Sequence, residues 1–178
     1  KYNRDKDRGC MSQQTENNLE LIGEGEGFAD ELCHMIEGAQ LFKDMPHAEI
    51  RVLANYARAY QVEKGKAIFR EGQKGSFMCI LIEGKVDVLK ETDSKERKHI
   101  TTIRPGKTMG EMAMLDELPH SATAVAADTV KLVMITKMNF EKLTEENPVL
   151  AVKLLRKLAR LMSLRLRQTT GILLDYLS

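Results

Sequence analysis

The stretch GEMAMLDELPHSATAVA, residues 110–126, combines residue types that could hold a small anion. Gly110 can approach a ligand closely or adopt a positive φ, and the predicted helical turn after it presents free backbone amides to an anion. Glu111 is an acceptor-only carboxylate that suits a sugar hydroxyl. The polar pair His120 and Ser121 stands just before an alternating strand. The structural alternatives are an ordinary turn glycine and a carboxylate that the helix dipole favours in a first turn.

Length and composition limit the classes of protein that this chain can represent. Its 178 residues suffice for one domain with appended helices and a sizeable core. The net charge of +1 provides no global basic field for nucleic acid, and we expect no nucleic-acid partner. No apolar run is long enough to span a membrane, and no membrane partner is expected. The 3 cysteines form no CxxC pair, which favours a soluble protein of the reducing cytoplasm.

The chain divides into four segments by the spacing of its apolar residues. Residues 1–18 are polar and predicted to be disordered. Residues 19–58 show helical spacing and are predicted to form N-terminal helices. Residues 59–136 contain short β-rich runs separated by glycines, and residues 137–178 return to helical spacing.

The β-rich segment predicts a mainly-β fold with flanking helices. The runs AIF, FMCILIE and KVDVLKE lie between turn glycines, which are Gly65, Gly72, Gly75 and Gly84. Further strands follow at similar spacing. Seven or eight short strands with evenly spaced turns favour an antiparallel barrel or jelly roll.

The last helix has an apolar face that is wide for a helix packed on a barrel. Pro148 is placed at its first turn. The apolar face covers about half the circumference at 100° per residue, and its members are Leu154, Leu155, Leu158, Leu161, Met162, Thr169, Ile172, Leu173 and Tyr176. The surplus predicts a homodimer through this helix, and the alternative is that the N-terminal helices cover the face within one chain. The basic residues of the helix are interpreted as a solvated face.

Three separated motifs resemble the cyclic nucleotide-binding domain family, of the catabolite activator protein and cAMP-dependent protein kinase regulatory subunit type. They are VEKGKAIFREGQKGSFMCILIEGKVDVLKE, IRPGKTMGEMAML and PHSATAVAA, and the resemblance covers about residues 40–170. It implies an eight-stranded antiparallel jelly-roll β-barrel flanked by helices, with a phosphate-binding cassette between two inner strands. In that cassette Glu111 would accept the ribose 2′-hydroxyl, and amides around Ala113 and Met114 would reach the cyclic phosphate. The remaining ligand-binding candidates implied by the cassette are Gly110, Met112, His120, Ser121 and Ala122.

His120 departs from the family pattern, which usually has an arginine at this position. Arginine can hold a phosphate through two parallel hydrogen bonds, whereas histidine offers one donor and is mostly neutral near pH 7. Three interpretations remain open: a direct but weaker phosphate contact, a degenerate pocket without a cyclic nucleotide, or a different ligand. With an unperturbed pKa of about 6.5, a direct contact predicts that affinity rises as the pH falls through that value.

A fainter resemblance concerns the stretch RLRQTTGIL in the last helix. It is similar to the dimer helix of the catabolite activator protein branch, in which adjacent hydroxyls meet the adenine amino group. This implies that Thr169 and Thr170 lie over the pocket and that cAMP is favoured over cGMP. The alternative is an ordinary pair of threonines near Gly171.

Two rival functions receive less support from the residues. A jelly-roll metalloenzyme needs clustered imidazoles, and the histidines here, His34, His47, His99 and His120, stand far apart in the sequence. No metal, catalytic residue or cofactor is therefore expected. A transcription factor would need a helix-turn-helix module after the long helix, where this sequence ends. We expect a sensor that passes ligand occupancy to its last helix and a downstream protein. The alternative is a ligand-free dimerisation module.

Overall fold

The computed structural model describes the backbone of residues 18–92 and 94–177, and side chains as far as residue 172. The predicted disordered segment 1–18 lies outside the described residues except for Asn18. The helices are α1 (Ala29–Glu37), α2 (His47–Ala54), α3 (Glu111–Asp116), α4 (Lys137–Glu146) and α5 (Pro148–Leu177). The strands are β1 (Glu20–Glu24), β2 (Arg58–Val62), β3 (Ala67–Phe69), β4 (Phe77–Glu83), β5 (Val86–Glu91), β6 (Arg97–Ile103), β7 (Thr108–Met109), β8 (Thr123–Ala126) and β9 (Val130–Thr136).

The strands form two antiparallel sheets. The first has five strands in the order β1-β2-β9-β4-β7, and the second has four in the order β3-β8-β5-β6. The predicted mainly-β fold with flanking helices and a long last helix beginning at Pro148 is confirmed. The predicted eight-stranded barrel is corrected to two open sheets, because short strands with even spacing do not reveal whether the outermost strands pair.

The central strands β4 and β9 are buried on both faces, which explains their nearly continuous apolar runs. In β4, Cys79 and Leu81 pack between the two sheets, whereas Met78 and Ile80 pack beneath the helices. This alternation follows from the two-residue period of a strand. The five-stranded sheet therefore separates a core between the two sheets from a second core, the helical core, which lies under α1, α2 and α5.

The first predicted helix is partly wrong. Residues 20–24 form the edge strand β1, which pairs antiparallel with β2, and helix α1 begins only at Ala29. Glycines at this end of the segment disfavour a helix. The helical spacing of Leu21 and Ile22 predicted a helix here, whereas the edge strand depends on hydrogen bonds to a strand distant in the sequence. The Leu21 and Ile22 side chains are 47% and 40% exposed.

Helix α5 begins within the body of the protein and continues beyond it. Its first half contributes Leu150, Ala151, Leu154 and Leu158 to the helical core. From Ser163 to Ile172 every residue except Arg165 is exposed. The alternative that the chain itself covers the apolar face therefore holds for the first half of the helix. None of the described helices is long and apolar enough to cross a bilayer.

Candidate functional site

A cavity of about 610 Å³ lies between the four-stranded sheet, helix α3 and helix α5. Strands β6 and β7 form part of its wall, the segment 118–122 closes one side, and Leu161, Leu164 and Gln168 of α5 face it from the other. This volume is in the range of small-molecule sites. Residues far apart in the sequence, on two sheets and the last helix, therefore meet around one space.

Gly110 caps the first turn of α3 in the left-handed conformation, with φ of 78°. A side chain there would bring a Cβ to 3.0 Å from the backbone oxygen of Phe77. Glycine is thus required both by the positive φ and by the close neighbouring strand. This geometry sets the direction in which α3 starts and directs Glu111 inward.

Glu111 is a buried carboxylate with one oxygen paired and the other free. Only 3% of the residue is exposed. Its Oε1 accepts a hydrogen bond from the guanidinium of Arg165, and its Oε2 has no partner among the described residues. A buried acceptor without a donor is costly, so Oε2 is a site at which a ligand hydroxyl can bind.

The side chain of Arg165 links helix α5 to α3 and β7 in the cavity wall. Besides the ion pair with Glu111, its Nη2 donates to the backbone oxygen and the hydroxyl of Thr108, at 2.8 and 3.0 Å. Sequence reasoning missed this residue and grouped the basic residues of α5 on a solvated face. A signal was present, because Arg165 follows the buried Leu158 and Leu161 at helical spacing and so continues their stripe.

His120 is buried and neutral. Its ring stacks on Phe69, with centroids 4.0 Å apart and 12° between the planes. Its backbone is held by hydrogen bonds to Gln73 and Gly72 in the loop before β4. Burial lowers the pKa of His120 to about 4, below its usual value of 6.5. Its Nε2 is buried and finds no partner in the described part of the chain.

The other predicted cassette residues divide into two groups. Met112, Ala113, Ser121 and Ala122 line the cavity with Gly110, Glu111 and His120. Met114 lies in the helical core instead, and its amide donates to the oxygen of Gly110 at 3.3 Å. That amide forms the first hydrogen bond of helix α3, and its expected contact with the phosphate stays a prediction.

The structure does not bring Thr169 and Thr170 to the cavity. Both are exposed, and their hydroxyls donate to the backbone oxygens of Arg165 and Leu166, at 3.0 and 2.9 Å. Gln168 is the described residue of this stretch that lines the cavity beside Arg165. An adenine contact from the threonines stays a prediction, and it requires a different position of α5 or a second copy of it.

The sequence of the central segment matches a known family. Residues 60–147 fit the family model described as the cyclic nucleotide-binding domain. The matched range contains Gly110, Glu111 and His120, and the strands that form the cavity wall. This chain carries a cyclic nucleotide-binding domain. Arg165 lies outside the matched residues, on the helix that follows the domain.

Curated relatives of the domain include receptors and regulatory subunits. The cyclic AMP receptor protein of Thermus thermophilus is 29% identical over 143 residues, which are 80% of this chain and 64% of that protein. The cAMP-dependent protein kinase regulatory subunit of Yarrowia lipolytica is 30% identical, over 58% of this chain and 27% of that protein. The chain thus spans 64% or less of the length of these two relatives.

Solved structures share the fold of the domain and its flanking helices. A cyclic nucleotide-binding domain from Methylobacillus flagellatus has a TM-score of 0.79 and covers 93% of this chain and 96% of its own, at 24% identity. The catabolite activator protein of Thermus thermophilus has a TM-score of 0.68 at 28% identity, and covers 78% of this chain and 62% of its own. The first of these similarities covers more of the chain than residues 60–147.

Proposed function

We propose that this chain is a sensor of a cyclic purine nucleotide, with cAMP bound in preference to cGMP. The observation that carries the proposal is the pair of buried polar atoms without partners, Glu111 Oε2 and His120 Nε2, in two residues that line one cavity. The carboxylate can accept from a sugar hydroxyl, and the imidazole N–H can donate to a phosphate oxygen. The names of the Thermus and Yarrowia relatives, a cyclic AMP receptor and a cAMP-dependent kinase subunit, support cAMP.

The function is inferred to be binding rather than catalysis. The neutral His120 and the buried Glu111 are separate groups on the cavity wall, each suited to hold a ligand atom. Transmission to helix α5 is part of the proposal. Arg165 binds Oε1 of Glu111, and the ligand would bind Oε2 of the same carboxylate. Occupation of Oε2 would therefore change the interaction that holds α5 in place, and ligand binding would favour one position of the helix over others.

Calorimetric titration with cAMP and cGMP tests the proposal. Saturable binding of cAMP is expected, with weaker binding of cGMP. Glu111→Gln is expected to weaken cAMP binding by about tenfold, because the charge-assisted hydrogen bond to the sugar is lost. The control is Glu83→Gln, which removes a surface carboxylate paired with Lys131.

If millimolar cAMP produces neither heat nor thermal stabilisation, the proposal is wrong. The ligand-free dimerisation module then becomes the better interpretation. If cAMP fails while another anionic nucleotide or nucleoside binds with dependence on Glu111, the cavity has a different ligand.

We also propose a homodimer through the exposed part of α5. Leu164, Leu166 and Ile172 are 45%, 68% and 58% exposed in this segment, which is costly for a helix that stands in water. Sedimentation at tens of micromolar is expected to give twice the chain mass of 20.1 kDa. Leu166→Glu should shift the protein towards the monomer, and the matched change Val149→Glu at the start of the helix should not. A monomer at all concentrations, with and without cAMP, contradicts the dimer.

The remaining parts of the proposal concern setting and partners. A cytoplasmic location is supported by the sparse cysteines, and the absence of nucleic-acid contact by the balanced charge of +1. A downstream protein that receives the signal completes the proposal. The exposed segment of α5 is the surface from which such a protein would receive the signal.

A further inference from the structure

Four residues that can bind metals meet on the helical side of the molecule, away from the nucleotide cavity. Cys33, His34 and Glu37 lie on α1, and His47 is the first residue of α2. One ligand atom from each of Cys33, Glu37 and His47 lies within 4.8 Å of the other two. The wide spacing of the four histidines in the sequence predicts no metal site. The turn between α1 and α2 brings His34 and His47 together, with ring centroids 6.1 Å apart.

The distances in this cluster resemble the edges of a tetrahedral zinc site. The Sγ of Cys33 lies 3.7 Å from Nδ1 of His47, and Oε2 of Glu37 lies 3.2 Å from the same nitrogen. Zinc holds sulfur at about 2.3 Å and nitrogen or oxygen at about 2.0–2.2 Å, so two tetrahedral ligands lie about 3.3–3.7 Å apart. An ion can therefore enter with small rotations of exposed side chains.

The exposure of the groups suits capture of an ion from solution. Cys33 is buried to 1% exposure, whereas the side chains of Glu37 and His47 are 42% and 61% exposed. The carboxylate of Glu37 is held by hydrogen bonds from both histidines, with His34 Nδ1 at 3.3 Å from Oε1. This second contact orients the carboxylate, as hydrogen-bonding partners around metal ligands commonly do.

We propose that Cys33, Glu37 and His47 bind a zinc ion, with His34 as the residue that orients Glu37. The combination of thiolate, imidazole and carboxylate is typical of zinc, and three protein ligands leave a fourth position for water. Binding releases the thiol proton of Cys33 and clamps α1 to α2. Because both helices share a core with the first half of α5, the ion stiffens the layer on which that helix rests.

Cobalt substitution tests the site in the full chain. One equivalent of Co²⁺ is expected to produce tetrahedral d–d bands and a thiolate-to-cobalt charge-transfer band, and Zn²⁺ should abolish both. Glu37→Gln and His47→Gln should each weaken Co²⁺ binding by at least tenfold, and these exposed residues can be replaced without disturbing the core. His34→Gln should weaken binding less, since it removes only the orienting contact.

Two matched controls separate this site from other thiols and imidazoles. Cys10→Ser and His99→Gln should keep the bands and the stoichiometry. The proposal is overturned if the wild-type protein binds no cobalt or zinc. It is equally overturned if the bands survive both Glu37→Gln and His47→Gln, or disappear in either control.

Discussion

Replacing His120 with arginine is expected to tighten cAMP binding at pH 7 by about 10- to 150-fold. The pKa of about 4 makes His120 neutral at this pH, so it offers a phosphate one uncharged donor at most. An arginine is permanently charged and can donate two parallel hydrogen bonds to the phosphate. Its guanidinium can also stack on the ring of Phe69, where the imidazole now lies.

Calorimetric titration of the wild type and the His120→Arg protein measures this gain. His120→Gln is the control, because it keeps a neutral donor at the same position and should change affinity little. If His120→Arg gains nothing, His120 does not contact the phosphate. The cavity is then degenerate or takes a ligand without a phosphate at this position.

Burial also corrects the pH dependence expected from the sequence. With an unperturbed pKa, affinity would rise as the pH falls through about 6.5. In the ligand-free protein the pKa of His120 is about 4. As the pH falls, the cAMP affinity therefore begins to rise at the higher pKa of the ligand-bound imidazole, and this rise is complete only near pH 4. Affinity is therefore expected to be flatter between pH 6.5 and 7.5 than the sequence alone predicts. The cAMP affinity of the His120→Arg protein should lack this pH dependence, because the variant has no imidazole at position 120.

Acidification to about pH 4 is expected to lower the free energy of unfolding by about 3 kcal/mol through His120 alone. In the unfolded chain this histidine titrates near 6.5, and in the folded protein burial lowers the pKa to about 4. Between these values the unfolded state binds the proton and the folded state does not, so stability falls as the pH decreases. The contribution is complete above pH 6.5 and is lost by about pH 4.

Urea unfolding at pH 7 and at pH 4.5 measures this loss. His120→Gln cannot bind a proton, so its stability should fall less over this interval than that of the wild type. The comparison is needed because protonation of hydrogen-bonded carboxylates with lowered pKa values also destabilises the folded protein in acid. These carboxylates are Asp30, Glu37, Glu71, Asp87 and Glu117. The exposed His99→Gln serves as a histidine control. Equal losses in the wild type and His120→Gln would contradict a buried neutral His120.

Local signals in the sequence predicted the parts of the fold that local chemistry determines. Turn glycines and apolar runs indicated the β-rich segment, and Pro148 indicated the start of α5. Gly110 adopts the positive φ that its sequence context allows. By contrast, β1 depends on hydrogen bonds to β2 across more than thirty residues, and no local pattern contains that information.

The candidate site could be predicted only in part for the same reason. Glu111 and His120 follow from one short motif. The pairing of Glu111 with Arg165 joins residues 54 positions apart, and burial in the folded chain lowers the pKa of His120. The cluster of Cys33, Glu37 and His47 likewise requires the turn between two helices. Burial and long-range contacts bring these groups together, and both appear only when the chain is folded.

Under the function proposed above, Arg165 makes the occupancy of the cavity and the position of the exposed end of α5 thermodynamically interdependent. Coupling between two sites is reciprocal, so a factor by which a ligand changes the binding of a partner equals the factor by which the partner changes the binding of the ligand. A protein that binds α5 beyond Ser163 and draws Arg165 away from Glu111 would alter the affinity of the cavity without touching α3 or the segment 118–122. The same cavity would then have one dissociation constant in the isolated chain and another in an assembly. Its sensitivity would be set by whatever holds the helix.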